Sequence, residues 1–170
     1  MIVFDLGGTL KDGEVDCGRG HPLARIQDSR HALRCRIRRT VTLANDVPMI
    51  FDALADNGVT IAYASRTWEP KWAEEALNSL TCGVRRDKNI WSVASADAWG
   101  DCSKNLHLKT VASKLSVDFA SLVLFGNESR DINAVPRLKS FGGTDRIALL
   151  WMCSSILWRS TVTTIKNITS

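Results

Sequence analysis

Short apolar runs, each followed by a stretch with helical periodicity, constrain this chain more than any other feature of its sequence. Ile2-Val3-Phe4-Asp5-Leu6 is a compact apolar run closed by Gly7-Gly8, the pattern of a buried strand ending in a turn. Val59 to Ala64 reads as the next strand, Asn89 to Val93 as a third, Leu122 to Phe125 as a fourth and Arg146 to Trp151 as a fifth. Helical segments lie between them. Asn45 or Asp46 can cap one, with Pro48 in its first turn. Val47, Ile50, Phe51 and Leu54 recur along it at helical spacing, and Asn57-Gly58 ends it. Further helices are read over about 69–80, 103–115 and 129–138, the second with Leu106, Val111 and Leu115 among its apolar positions. Strands alternating with helices predict an α/β fold, a Rossmann-like three-layer parallel sheet of about five strands.

One stretch departs from this rhythm. Residues 11–40 are polar, rich in Gly and Arg and weakly periodic, and are read as a short flap or loop insertion after the first strand. Arg30, Arg34, Arg36, Arg38 and Arg39 fall inside it, either as a solvated loop or as an anion-attracting flap. Residues 1–150 are expected to form a single domain, with 151–170 a tail whose structure the sequence does not disclose.

The formal charge of +4 suits an anionic small molecule or a phosphorylated group and is too small to argue for nucleic acid. No apolar run reaches the length of a membrane span. Cys17, Cys35, Cys82, Cys102 and Cys153 show no CxxC spacing, which speaks against zinc and for reduced thiols in a cytosolic protein. Met1 to Phe4 runs directly into Asp5, so no signal peptide is read there. Trp68 and Trp72 lie one helical turn apart and are expected to share a face, in the core or at an interface.

In parallel sheets, ligands bind at the carboxyl ends of the strands. That rule alone selects Asp5 to Thr9, Ser65 to Thr67, the region before Lys104, and Gly126 to Asp131. A carboxylate at Asp5 can attack phosphorus, or it can simply serve turn chemistry ahead of the glycines. Ser65 can hold a phosphate oxygen or cap a helix. Lys104 opens a helix, where a cation opposes the macrodipole. That local conflict hints at a role in a site, although a lysine there can also be merely solvated.

Taken in order, these segments resemble the haloacid dehalogenase superfamily, specifically its magnesium-dependent phosphatase type one family. Asp5-Leu6-Gly7-Gly8-Thr9 resembles the first motif, D-x-D-x-T. Ala64-Ser65-Arg66-Thr67 resembles the second, and Ser103-Lys104-Asn105-Leu106-His107 the lysine motif S-K-x-x-H. Phe125 to Ile132 resembles the fourth, F-D-D-E-x-R-x-I. The likeness covers about residues 1 to 140. It implies Asp5 as nucleophile, Ser65, Arg66 and Lys104 as phosphate-binding residues, and Thr9 in support. It also implies Mg²⁺, held by Asp5, by the backbone carbonyl of residue 7 and by the fourth motif.

Several positions break the pattern. The family's general acid/base position is Gly7, which has no titratable group. Such a group typically contributes about 10²–10⁴-fold in rate. Gly126 and Asn127 stand where the family has two aspartates. Asn127 and Glu128 are left as weak candidate metal ligands, with Asp131 nearby, so Mg²⁺ binding is expected to be weak. The expected function is a phosphatase homologue with impaired or lost phosphomonoesterase activity. The alternatives are an active phosphatase on phosphotyrosine or sugar phosphates, with Glu128 or Asp131 as substitute ligand, and a non-enzymatic binding or scaffold module. The expected partner is a small phosphorylated ligand or a phosphoprotein, with no nucleic acid and no membrane.

Overall fold

The computed structural model of the chain describes residues 1–12, 21–27, 29–82, 88–127 and 149–151. At its centre β1 (Ile2–Phe4) is buried along its whole length, as a strand covered on both faces must be. It pairs in parallel with β6 (Ile61–Ser65) on one side and β10 (Val123–Gly126) on the other. β9 (Ala94–Trp99) extends the sheet beyond β6, and β11 (Leu149–Trp151) extends it beyond β10. The order β11-β10-β1-β6-β9 makes a five-stranded, wholly parallel sheet, so the expected fold class and strand number hold.

Alternation along each strand separates two unlike cores. Ile2, Phe4, Ile61, Tyr63, Val123 and Phe125 face one side. There they meet α1 (Val47–Asp56) through Ile50, Phe51 and Leu54, and α2 (Pro70–Ser79) through Ala76 and Leu77. Phe4 stacks on Phe125 with ring centres 5.3 Å apart. Burying a side chain of this size stabilises the fold by about 1.5–3 kcal/mol. The opposite face carries Val3, Ala62, Ala64, Ala96, Ala98 and Leu124, against Leu108, Val111 and Ala112 of α3 (Lys104–Leu115). Small side chains on that face let α3 lie close to β6 and β9.

The stretch after β1 is more ordered than its composition suggests. β2 (Lys11–Asp12), β3 (Leu23–Arg25), β4 (Ala32–Cys35) and β5 (Thr40–Leu43) form an antiparallel sheet in the order β2-β5-β4-β3. Its inward residues Leu33, Val41 and Leu43 join the first core. The stretch is therefore a flap rather than a loop, and it runs to Leu43 rather than ending near residue 40. The signal was present as a period of two in Ala32-Leu33-Arg34-Cys35 and Thr40-Val41-Thr42-Leu43, hidden by its polar outward residues.

Three other expectations need correction. The third parallel strand is Ala94–Trp99, not Asn89–Val93. Asn89 Oδ1 accepts from the Ser92 amide and Ser92 Oγ donates to the Asn89 carbonyl, turning Trp91–Val93 into a single 3₁₀ turn. Lys88–Asn89 instead forms β8, paired with β7 (Thr81–Cys82). Trp68 does not share a helical face with Trp72: it precedes α2 and is exposed, whereas Trp72 stacks on His21. Leu106 is exposed, and Leu108 takes the core position of α3. The expected helix over 129–138 and the tail from 152 lie outside the described residues, as do Cys17 and Cys153. No helix among the described residues is long and apolar enough to cross a membrane.

Candidate functional site

Asp5 follows β1, and its backbone N–H donates to the Phe125 carbonyl at the end of neighbouring β10. The next residues turn sharply. The amides of Thr9, Leu10 and Lys11 all point to the Leu6 carbonyl, and the Gly8 N–H closes the loop on the Lys11 carbonyl. Gly8 has φ of +65°, a conformation costly to any residue with a Cβ. It is also pressed against a second segment: a Cβ there would lie 2.2 Å from Asn127 Nδ2. Thr9 Oγ1 donates to Asn127 Oδ1 at 3.4 Å. The loop after β1 and the residue after β10 are thus tied through the Asn127 side chain, a link that no local sequence pattern announces.

The second strand end contributes Ser65 and Arg66. Ser65 is buried, and its Oγ accepts from the Thr67 amide at 3.4 Å. Thr67 Oγ1 in turn accepts from the Glu69 amide and shapes the entry to α2. Arg66 is half-buried, and its Nε donates to the Cys102 carbonyl. That bond joins the loop after β6 to the loop after β9.

Lys104 comes from the start of α3. Ser103 caps this helix, its Oγ accepting from the Leu106 amide, and Lys104 follows as the first helical residue. Its side chain does not remain in solvent at the positive end of the helix dipole. Only 1% exposed, it crosses the small-residue face of the sheet, and Nζ donates to Asp5 Oδ1 and to the Ala64 carbonyl, both at 2.5 Å. The Asp5 side chain is only 11% exposed. Removing one partner from such a buried pair strands the other charge, at about 3–5 kcal/mol.

His107, one turn further along α3, closes the lysine motif, and its sequence position alone assigns it no role. It is buried, and its Nε2 donates to the Gly100 carbonyl at 2.9 Å. That bond steadies Gly100 to Ser103, the segment that delivers Lys104. Because a carbonyl can only accept, Nε2 carries the proton and Nδ1 is the bare nitrogen. Nδ1 is buried and has no hydrogen-bond partner among the described residues. Burial holds the His107 pKa below its usual value, and the Lys104 and Arg66 cations push the same way, against the Gly100 hydrogen bond and Asp5.

The structure therefore brings Asp5 and Lys104 into contact and sets the Ser65-Arg66 turn at the adjacent strand end, on the same edge of the sheet. Thr9 and Asn127 engage each other, while Glu128 and Asp131 lie outside the described residues. Among the described residues the oxygen donors fit Mg²⁺ poorly. Asp5 Oδ1 is taken by an ammonium, Asn127 Oδ1 by the Thr9 hydroxyl, and Gly7 offers only its backbone carbonyl. Among the described residues no three His, Cys, Asp or Glu side chains converge. A hard, strongly hydrated cation requires oxygen donors with more negative charge than this.

A parallel sheet with an acid at its first strand end, a buried lysine facing it and a flap inserted between β1 and α1 agrees with a fold of the haloacid dehalogenase type. The family described as Acid Phosphatase matches residues 1–141, and the chain belongs to that family. A Schizosaccharomyces pombe relative, a HAD-like hydrolase superfamily protein, is 28% identical over 132 residues, covering 76% of each chain. A Saccharomyces cerevisiae relative named "Putative magnesium-dependent phosphatase" is 30% identical over 141 residues, covering 77% of this chain and 78% of the other. Among solved structures, the fold resembles the N-terminal part of a Bacteroides fragilis protein containing a phosphatase domain, complexed with Mg. That likeness has a TM-score of 0.62 at 14% identity over 99% of this chain, which spans 41% of the solved one.

Proposed function

We propose that this phosphatase-family chain retains a pocket for a phosphate monoester, on a small phosphorylated ligand or a phosphoprotein, with impaired or lost ability to hydrolyse it. The observation that carries this reading is the buried Asp5–Lys104 pair standing beside Gly7, Gly126 and Asn127. Lys104 and Arg66 both stand at this edge of the sheet, cations of the kind that bind an oxyanion, and the Ser65 hydroxyl can donate to it. Asp5, which follows β1, is read as the carboxylate that would meet phosphorus. Its nucleophilicity is damped by the ammonium on Oδ1.

Among the described residues no side chain stands at the acid/base position to give the leaving oxygen a proton. Gly7 occupies the acid/base position, and His107 is buried with its one proton committed to the Gly100 carbonyl. Without a positioned acid or base, turnover falls by about 10²–10⁴-fold. Magnesium, when bound in such sites, neutralises charge on the transferring phosphoryl group. This chain is proposed to bind it weakly. The free thiols of Cys35, Cys82 and Cys102 support a reducing, cytoplasmic setting.

The test is hydrolysis of a chromogenic phosphate ester across a magnesium titration, with Asp5→Asn as control. Expected is a rate near background that magnesium barely raises. Turnover of about 1 s⁻¹ or more that disappears in Asp5→Asn would sink the reading and point to a ligand such as Glu128 or Asp131 completing the site.

A further inference from the structure

The flap carries a second concentration of charge on its β3–β4 side. A shallow groove of about 520 Å³ runs along β3, β4 and the turn into β5, lined by Arg25, Arg34, Arg36 and Arg38. All four arginines are exposed. None makes a salt bridge to a described residue, unlike Lys104 and Lys114, which both face carboxylates. The floor is low because Arg34 sits opposite Ala24 on β3 and opposite Thr40 on β5. Arg36 and Arg38 lie in the β4–β5 turn, closed by the Cys35 amide on the Arg39 carbonyl and the Arg38 amide on the Cys35 carbonyl. That turn holds Arg38 at φ of +62° and leaves Ile37 exposed beside it.

We propose that this groove docks an extended acidic peptide segment of a partner protein. Like charges gathered on one small sheet repel one another and gain nothing from the fold itself. A carboxylate-bearing ligand turns that repulsion into attraction. The cations are arginines without exception, and a guanidinium fork grips a carboxylate through two parallel hydrogen bonds where an ammonium grips through one. The groove is open rather than enclosed, which suits a chain laid along it better than a small molecule that must be mostly buried to bind. Among the described residues β3 pairs with β4 alone, and Ala24 and Arg25 of this edge strand line the groove. Nucleic acid is the poorer match: among the described residues no aromatic ring lines the groove for base stacking, and the whole chain carries only +4. The inference stands apart from Asp5 and its chemistry.

The experiment is fluorescence anisotropy of the full chain with three labelled probes: a peptide of alternating Glu and Val, the same peptide with Lys for Glu, and an oligothymidine of equal charge. Expected is saturable binding of the Glu peptide alone, weakening steeply as salt rises from about 50 mM to about 300 mM. The variant Arg34→Gln/Arg36→Gln/Arg38→Asn should weaken it about tenfold, the size expected for three exposed ion pairs lost together. Asn is chosen at 38 because it tolerates the left-handed backbone there. The double variant Asp5→Asn/Lys104→Met, which strands neither charge, should bind the peptide like the natural chain, which separates this result from any failure at the phosphate pocket. If the triple variant fails to fold, Arg36→Glu alone must still weaken binding. No binding of the Glu peptide, undiminished binding by the variants, or preference for the oligothymidine each overturns the proposal.

Discussion

Two groups of cations in this molecule differ in one respect, their access to water. Lys104 is fully buried and committed to Asp5 and Ala64, while Arg25, Arg34, Arg36 and Arg38 of the flap are solvated and make no salt bridge to a described residue. A buried cation contributes to stability only through its partners, and its loss exposes the full cost of the stranded charge. A solvated cation costs the fold little and remains available to something outside it. One sheet edge thus looks inward for its electrostatics, and the flap looks outward.

Substitution should magnify that contrast. Lys104→Met is expected to destabilise the chain by about 3–5 kcal/mol in denaturant unfolding, because Asp5 is left buried and charged. Adding Asp5→Asn to it should recover most of the loss, and a double variant no more stable than Lys104→Met alone would break the account. Next in size is restoration of the acids. Gly7→Asp, Gly126→Asp and Asn127→Asp together should raise magnesium-dependent ester hydrolysis by about a hundredfold, the low end of what a positioned acid/base supplies. The single changes should do little. No activity in the triple variant would mean that the Ser65 and Lys104 assignments are wrong as well.

A smaller effect belongs to His107. Its pKa lies below the ordinary 6.5 in the folded chain, so the unfolded chain takes up the proton first. The stability it protects is complete above about pH 6.5 and declines as pH falls below that value. His107→Gln keeps a donor for the Gly100 carbonyl and should flatten that decline in thermal melts across pH 5 to 7. A slope unchanged by the substitution would assign the pH dependence elsewhere. The smallest effect is expected at the flap: Arg34→Gln/Arg36→Gln/Arg38→Asn should shift stability by no more than about 0.5 kcal/mol, as exposed sites do. A large loss there would erase the distinction between the two groups.

Much of this architecture can be read before any coordinates. β1, β6 and β10 are continuous apolar runs, and burial on both faces demands that pattern. The strand at Ala94–Trp99 escapes notice because alanine has low strand propensity, while Ile90, Trp91 and Val93 beside it have high propensity and form a turn instead. The flap sheet escapes because its strands are two to four residues long with polar outer faces. At the site, the rule that ligands meet strand carboxyl ends selects Asp5, Ser65 and the start of α3 from sequence. The Thr9–Asn127 tie and the Gly100 anchor of His107 depend on segments meeting in space, and no spacing along the chain encodes them.

The alanines that carpet one side of the sheet also act as a ruler. With methyl groups at 62, 64, 96 and 98, α3 sits near enough for a lysine stem to span from helix to strand tip. Trading one of them for leucine would lift the helix like a shim under a hinge, and the ammonium would fall short of its aspartate while the rest of the fold stood.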